Sequence, residues 1–162
     1  MNARALREDE RGWLAEHLGL AWGSTTIVSR GRAHDASQLP AVLCADGEEL
    51  LGLATYEVAG GECEVVTIEA FRRRQGIGTA LLDAVIAAAR EQGCARLWLV
   101  TTNDNAGAQH FYERRGLRLV AVHAGAVDAA RLLKPEIPLT GEDGVEIHDE
   151  LELELRLTDG AR

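Results

Sequence analysis

Residues 72–78 read RRRQGIG, and the apolar run TALLDAVIAAA follows them at once. The two glycines, Gly76 and Gly78, allow a backbone turn to approach a ligand closely. The apolar run predicts a helix, whose first amides and positive dipole end would face that turn. Arginines beside the turn favour a polyanionic ligand, because guanidinium groups bind phosphate oxygens in pairs. The segment therefore predicts a binding site for a pyrophosphate.

A glycine turn before a helix is weak evidence on its own, since such turns also occur for purely structural reasons. Two other phosphate motifs are absent from the sequence. It contains no GxxxxGK[ST] loop, and Ala80 and Leu81 stand where a dinucleotide fingerprint needs its third glycine. The nature of the anion therefore has to be inferred from a second segment.

That second segment, NDNAGAQHFYERRGLR (residues 103–118), lies one predicted helix and one predicted strand further along. Together the two segments resemble the GNAT superfamily of N-acetyltransferases, which use acetyl-coenzyme A. Arg73, Gly76 and Gly78 match the [QR]xxGx[GA] pyrophosphate loop of that family. The later segment matches its second signature, an asparagine followed by a small residue, FYE and a glycine. The resemblance covers about residues 62–120.

The resemblance implies that acetyl-coenzyme A is the cosubstrate. Backbone amides from Arg74 to Thr79 would hold its pyrophosphate. The pantetheine arm would lie between two splayed parallel strands, where the amide near Ile68 would stabilise the oxyanion that develops on the thioester. The residues that the resemblance assigns to the cofactor are Val66, Ile68, Arg73, Arg74, Gln75, Gly76, Ile77, Gly78, Thr79 and Asn105.

The resemblance also places Tyr112 near the sulfur, where its hydroxyl can protonate the departing thiolate. The attacking amine has to lose a proton first, because an alkyl ammonium with a pKa of about 10 is mostly charged at neutral pH. Glu62 and Glu64, two apart on one strand face, are the candidate bases. Glu62 matches the base of histone-acetylating members, whereas Glu64 lies deeper along the strand. The alternative for both is that they are solvated carboxylates without a catalytic role. Glu69 is expected on the opposite face of the strand. Cys63 lies beside the candidate bases, so transfer of the acetyl group through a cysteine is an alternative mechanism.

Two stretches, residues 31–40 and 131–150, depart from the minimal family pattern. Both resemble segments of a largely uncharacterised bacterial branch that carries TTNDN after its fifth strand. Because these regions flank the acceptor side of the cleft in the family, they supply candidate substrate contacts; the alternative is a loop-closing or dimer-forming role. No metal site is expected, since isolated residues such as those of HDE (148–150) lack helical i, i+4 spacing. The candidate substrate contacts are His34, Asp35, Arg131 and Lys134.

The bulk composition fits one domain over residues 1–162, with 46% apolar residues and a net charge of −9. The negative net charge disfavours binding of nucleic acid and would attract a cationic substrate. The alternative is that it serves solubility alone. Charges in the first twenty residues, and the lack of a long apolar run, argue against a secretion signal or a membrane span. Single cysteines without CxxC spacing predict buried thiols and a cytoplasmic location. These cysteines are Cys44, Cys63 and Cys94.

Hydrophobic periodicity predicts a mixed α/β (α+β) fold. Three consecutive strands with short turns indicate an antiparallel meander, and a strand–helix–strand unit over residues 62–102 indicates a parallel pair. The resemblance implies the GNAT arrangement, a mostly antiparallel central sheet with a splayed parallel pair and flanking helices. The final strand and the other pairing edges lead us to expect a homodimer. The predicted helices cover residues 5–18, 77–92 and 105–115, and the predicted strands 25–30, 41–45, 50–58, 62–70, 95–102, 116–123 and 151–157.

The sequence favours an enzyme that moves an acetyl group from acetyl-coenzyme A to a primary amine in a ternary complex. A non-catalytic acyl-coenzyme A binding module and a nucleotide-binding protein are the alternatives. Acetyl-coenzyme A should therefore raise the melting temperature, because a ligand at one hundred times its Kd stabilises the folded state by about 2.7 kcal/mol. Thermal unfolding with acetyl-coenzyme A, ATP and a dinucleotide tests this prediction. Stabilisation by the nucleotides alone would contradict it.

Overall fold

The computed structural model describes residues 1–158 of the chain. Within these residues the chain forms nine strands and four α-helices. The strands are β1 (Asn2–Ala5), β2 (Thr26–Ser29), β3 (Arg32–Asp35), β4 (Ala41–Asp46), β5 (Glu49–Ala59), β6 (Glu62–Ala70), β7 (Arg96–Thr102), β8 (Arg118–His123) and β9 (Glu150–Arg156). The helices are α1 (Arg11–Trp22), α2 (Ile77–Glu91), α3 (Ala106–Arg114) and α4 (Ala126–Ala130).

Seven strands form one sheet in the order β1-β4-β5-β6-β7-β9-β8. Neighbours from β1 to β6 are antiparallel, β6 and β7 are parallel, and β9 runs antiparallel between β7 and β8. The strands β2 and β3 form a separate hairpin. The mostly antiparallel sheet with one parallel pair and flanking helices confirms the predicted fold class.

The parallel pair of β6 and β7 separates soon after it forms. Their pairing covers only residues 62–64 of β6 and 96–98 of β7. On its other side β6 stays paired with β5, but the register shifts by one residue at Val66, which forms a bulge. The two strands therefore leave a gap beside residues 65–68.

The bulge corrects the predicted position of Glu69. In the register, Glu64 pairs with Glu57 of β5 and Glu69 pairs with Leu53. Glu57 and Leu53 are four residues apart on one regular strand, so their side chains share a face. The extra residue at Val66 thus puts Glu69 on the same face as Glu64, whereas simple alternation predicted the opposite face.

The core consists of two apolar layers, one on each face of the sheet. The helix α2 covers one face with Ile77, Leu81 and Val85, which recur every four residues and are buried, as the periodicity predicted. The helix α1 covers the other face with Leu14 and Leu18, which pack against β4 and β5. Each fully buried leucine stabilises the fold by about 1.5–3 kcal/mol.

Two predicted elements near the N-terminus differ from the structure. The helix predicted over residues 5–18 begins only at Arg11, because residues 2–5 pair with β4 as an edge strand. The stretch 31–40, which lies outside the predicted helices and strands, contains β3 and a short 3-10 turn. The first difference arises from pairing with the distant strand β4, which the local pattern does not reveal, and the second arises from a local hairpin with β2.

The final strand β9 lies inside the sheet, so it is not the pairing edge on which a dimer was expected. The sheet ends instead at β8, which exposes the side chains of Leu119, Val120 and Val122. The homodimer stays a prediction.

The three cysteines are buried free thiols, as predicted. Across residues 1–158, the structure contains no helix with the length and apolar character that crossing a bilayer requires.

Gly52 of β5 is packed tightly beneath the start of α2. A Cβ atom at this position would lie 2.6 Å from the carbonyl oxygen of Glu69 and 2.8 Å from Ile77 Cγ2. Gly52→Ala should therefore lower the free energy of unfolding by about 1–3 kcal/mol, measured by chemical denaturation. The matched control is Gly19→Ala in α1, where no atom lies within 4 Å, and it should raise stability by about 0.5–1 kcal/mol. Similar small effects of both changes would contradict this packing.

Candidate active site

A cavity of about 620 Å³ occupies the gap between β6 and β7. Val66 and Ile68 line it from β6, as the resemblance implied, and Val100 and Thr102 line it from β7. The end of α1, the strand β2 and residues of the segment that follows α4 close the other side. A largely apolar cavity with a few polar groups suits a small-molecule site.

The predicted pyrophosphate loop follows β6 directly and opens α2. Gly76 precedes the helix with a φ of +75°, a conformation that favours glycine, and Arg74 has a φ of +61°. The first hydrogen bond of the helix runs from the amide of Ala80 to the carbonyl of Gly76 over 3.0 Å. The amides of residues 77–79 precede that bond and point out of the helix start, where they suit an anion.

The basic cluster divides into one paired and two unpaired arginines. Arg72 forms an ion pair with Glu49. Arg73 and Arg74 are exposed, like the neighbouring Gln75, and within residues 1–158 they form no ion pair. Two guanidinium groups therefore remain available to a phosphate beside the helix start.

Gly78, the second glycine of the loop, also has a packing role. A Cβ atom here would lie 3.2 Å from Phe111 Cζ of α3. Phe111 in turn makes an edge contact with Tyr112, with ring centroids 5.4 Å apart. The close approach of α2 and α3 thus fixes the loop relative to Tyr112.

Tyr112 and Asn105, the two residues taken from the second signature, both line the cavity. Tyr112 is buried, and that burial raises its pKa to about 12, so the hydroxyl keeps its proton at neutral pH. The Asn105 side-chain oxygen accepts a hydrogen bond from the amide of Ala108 over 3.1 Å and caps α3. Tyr112 therefore keeps a protonated phenol at the cavity wall.

Glu64 is buried on β6 where the strands begin to part, with 4% of its surface exposed. Burial raises the pKa of its carboxyl to about 7, although the hydrogen bond donated by the Ser29 hydroxyl opposes that shift. Ser29 ends β2 and lines the cavity. A carboxyl that titrates near neutral pH is therefore connected to the cavity by one hydroxyl.

Glu62, the other candidate base, is directed elsewhere. Its carboxylate lies 3.2 Å from the guanidinium of Arg96, and about two fifths of its side chain is exposed, at 43%. It does not line the cavity. The geometry thus separates two residues that the sequence pattern treated alike.

Two cavity residues, Ser29 and Glu150, were missed by the sequence analysis. Glu150 begins β9, is 3% exposed, and accepts a hydrogen bond from the Arg30 amide over 3.1 Å. Burial raises its pKa. Neither residue belongs to a motif, and both reach the cavity only because distant strands fold together. In LELELRL (residues 151–157) charged residues alternate with leucines. Continuing this alternation back by one residue puts Glu150 on the charged face, which is the signal that could have found it.

The four candidate substrate contacts occupy different environments. Lys134 lines the cavity, where its ammonium donates a hydrogen bond to the carbonyl of Thr26 over 2.6 Å and burial lowers its pKa. His34 is buried behind Ser29 and Glu64 and does not line the cavity.

Asp35 and Arg131 hold their own segments together and do not line the cavity. The Asp35 carboxylate accepts hydrogen bonds from the amide and hydroxyl of Ser37, at 3.1 and 2.6 Å. The Arg131 guanidinium donates to the carbonyls of Pro138 and Ile147, at 2.6 and 2.8 Å. Both therefore match the loop-closing alternative.

His34, Glu57 and Glu64 each place one potential metal ligand within 4.8 Å of the others. The two carboxylates, however, approach different nitrogens of the imidazole. Glu57 lies 3.6 Å from Nδ1, and Glu64 lies 3.5 Å from Nε2. The two carboxylates thus lie on opposite sides of the imidazole ring.

Comparison with known proteins agrees with this geometry. Residues 4–117 match the model of the acetyltransferase (GNAT) family, which is well over half of the chain. The chain belongs to the GNAT family of acetyltransferases. The match does not address the bacterial branch with the TTNDN motif, which stays a prediction.

This GNAT protein is similar to several relatives and solved structures. It is 45% identical to the uncharacterized protein YdhI of Bacillus subtilis over 139 residues, 85% of this chain and 87% of that protein. It is 36% identical to the streptothricin acetyltransferase of Streptomyces lavendulae over 93 residues, 57% of this chain and 44% of that enzyme. Its fold matches a Bacillus subtilis acetyltransferase in complex with CoA, with a TM-score of 0.70 and 18% identity over 97% of this chain and 99% of that one.

The buried carboxyl of Glu64 should make this GNAT protein less stable as the pH rises. Its pKa is 4.5 when unfolded and about 7 when folded, so the folded state binds the extra proton between those values. The stabilisation that this group contributes is complete below about pH 4.5. It decreases as the pH rises, by at most about 1.4 kcal/mol per pH unit, and is lost at about pH 7. Glu64→Gln should remove that loss, which urea unfolding at both ends of the range would measure.

The control for this measurement is Glu62→Gln, because Glu62 is partly exposed on the same strand. It should keep the pH dependence of the wild-type protein. A constant difference in stability between wild type and Glu64→Gln at all pH values would contradict the elevated pKa.

Proposed function

We propose that this protein transfers the acetyl group of acetyl-coenzyme A to a primary amine, by direct attack of the amine in a ternary complex. The observation that carries the proposal is the cavity between β6 and β7, which has a proton donor, Tyr112, on its wall and a buried carboxyl, Glu64, connected to it by Ser29. Family membership supports acetyl transfer, and the arrangement of these groups supports an amine as the acceptor.

The cofactor would bind along β6. Its pyrophosphate would meet the amides of residues 77–79 and the side chains of Arg73 and Arg74, which supply positive charge in an otherwise acidic protein. The pantetheine arm would enter the gap between the strands and pair with backbone groups near Val66 and Ile68. The coenzyme A complex of the Bacillus subtilis acetyltransferase supports this choice of cofactor.

The thioester carbon would then lie between the two proton-transfer groups. The amide near Ile68 would stabilise the oxyanion formed when the amine nitrogen attacks the carbonyl carbon. The carbon–sulfur bond then breaks, and Tyr112 protonates the sulfur as it leaves. Because its pKa is about 12, Tyr112 carries its proton at neutral pH and so has a proton to give to the leaving sulfur.

Glu64 would prepare the amine for attack. An ammonium group has to give up a proton, and a carboxyl with a pKa of about 7 both accepts a proton and releases it near neutral pH. The Ser29 hydroxyl would pass that proton from the cavity to the carboxylate. Burial raises the pKa of the neighbouring Cys63 thiol to about 12, which disfavours a thiolate relay and supports direct attack.

The acceptor is proposed to be a small cationic amine. The buried carboxylate of Glu150 lines the cavity, and that of Glu64 lies behind Ser29, where Glu150 adds to the negative field that raises the pKa of Glu64. The net charge of −9 attracts cations over longer distances. The similarity to streptothricin acetyltransferase, an enzyme named for a small-molecule acceptor, supports this class.

An assay of acetyl transfer to a panel of amines tests the proposal. Purified protein is mixed with acetyl-coenzyme A and diamines, polyamines, amino acids or peptides, and mass spectrometry detects the acetylated product. Glu64→Gln should slow transfer to the best amine by about 10²–10⁴-fold, because it removes the proton acceptor, while the affinity for acetyl-coenzyme A stays unchanged. Glu62→Gln, on the same strand but outside the cavity, should retain nearly full activity.

Tight binding of acetyl-coenzyme A without transfer to any amine would favour the alternative, a non-catalytic acyl-coenzyme A binding module. Full activity of Glu64→Gln would remove Glu64 from the mechanism.

A further inference from the structure

Formation of an amide from an ammonium ion releases two protons from the nitrogen. The ammonium loses one proton before it attacks the thioester, and the nitrogen loses a second proton after the new carbon–nitrogen bond has formed. A single carboxylate such as Glu64 holds only one proton. The surroundings of Glu64 are therefore of interest, because a second acceptor would have to lie within hydrogen-bonding reach of the same hydroxyl.

Ser29 connects Glu64 to such a second group. Its hydroxyl donates a hydrogen bond to Glu64 Oε2, and the same oxygen lies 3.1 Å from His34 Nε2. His34 Nε2 is also 3.5 Å from Glu64 Oε1. Because a hydroxyl can rotate, Ser29 can direct its proton to the carboxylate or to the imidazole. Ser29 is the only member of this trio that lines the cavity, within the described part of the chain.

The far side of the imidazole faces a second carboxylate. Glu57 Oε1 lies 3.6 Å from His34 Nδ1, and the guanidinium of Arg32 lies 3.2 Å from the same carboxylate oxygen. The charged groups near His34 and Glu64 thus come from β3, β5, β6 and β9 and comprise Arg32, Glu57, Glu64 and Glu150. The imidazolium form would be balanced by carboxylates at both nitrogens.

The burial of His34 is the second observation. Only 2% of its side chain is exposed, and this burial lowers its pKa, so the free enzyme holds the imidazole neutral. A neutral imidazole with its proton on Nδ1, facing Glu57, leaves Nε2 free to accept a proton from Ser29. The carboxylate of Glu57, partly exposed at 26%, connects the buried ring to the outside.

We propose that His34 is the second proton acceptor of the active site, acting through Ser29 beside Glu64, with Glu57 stabilising its charged form. The inference rests on the proposed acetyl transfer. The sequence analysis placed His34 among the substrate contacts, whereas here it positions protons behind the cavity wall and does not touch the substrate.

The proton balance is as follows. The ammonium gives its first proton to Ser29 Oγ while the hydroxyl proton of Ser29 moves to Glu64. The amine attacks, and the nitrogen gives its second proton to Ser29 Oγ while the hydroxyl proton moves to His34 Nε2. After the products have left, one of these two protons returns through Ser29 and water in the cavity to the phenolate of Tyr112, which had given its proton to sulfur. The other proton passes to bulk water, and both acceptors are free again.

The pH dependence of a single turnover tests this proposal. With acetyl-coenzyme A bound and the amine saturating, the wild-type rate should fall as the pH drops and reach a limiting logarithmic slope of about two on the acid side of both pKa values, because both acceptors must be unprotonated. His34→Gln should lower the plateau rate by about tenfold or more and reduce the slope to about one. A change that only disturbed packing would lower the rate and leave the slope unchanged.

The matched control is His17→Gln. His17 lies on the same face of the sheet, where it makes a 2.8 Å contact with Glu69 and stacks on Trp13, and it does not line the cavity. This variant should keep both the slope and the wild-type rate. A slope of two in His34→Gln, or a slope of one in the wild type, would overturn the proposal. Lack of transfer to any amine by the wild type would overturn the proposed function as well.

Nitrogen NMR of the wild-type protein keeps the proposal testable if His34→Gln does not fold. Above the pKa of both groups, His34 should be neutral with its proton on Nδ1. A neutral ring with its proton on Nε2 would overturn the proposal, because the accepting nitrogen would already be occupied. Loss of transfer on addition of EDTA, with recovery on addition of zinc, would instead assign His34, Glu57 and Glu64 to a metal site and would equally overturn it.

Discussion

The early end of pairing between β6 and β7 is the constraint on which the rest of the site depends. The two parallel strands share only three residue pairs, and the bulge at Val66 then turns β6 away while it stays paired with β5. Backbone amides and carbonyls that face a gap are available to an extended ligand, since buried backbone groups require partners. The cavity and Tyr112 lie along this gap, and the loop between β6 and α2 follows directly from β6.

Charge is distributed unevenly along the same path. The start of α2 offers amides and two arginines without ion-pair partners within residues 1–158, whereas the buried carboxylate of Glu150 lines the cavity and that of Glu64 lies behind Ser29. Burial has different consequences for Tyr112 and Glu64, the two groups proposed to transfer protons. It keeps Tyr112 protonated, and it brings the pKa of Glu64 close to neutral, where the carboxyl can exchange protons. One physical effect, desolvation, thus suits one residue to donate a proton and the other to accept one.

Local patterns were sufficient to predict α2, β6 and the mixed sheet, because helical and strand periodicity is recorded in neighbouring residues. They could not predict that Glu69 shares a face with Glu64, since the bulge depends on pairing with β5. Nor could they predict that Ser29, His34 and Glu150 gather near Glu64. Ser29 and His34 come from a separate hairpin, and Glu150 comes from the last strand in the sequence, which lies inside the sheet. Their proximity is therefore a property of the tertiary fold.

A crystal structure of the protein with coenzyme A tests the central claim most directly. The account predicts a pyrophosphate at the amides of residues 77–79, the pantetheine arm between β6 and β7, and the sulfur within reach of Tyr112 Oη. Coenzyme A bound at another surface, or a complex in which β6 and β7 are closed together without the arm between them, would contradict the account.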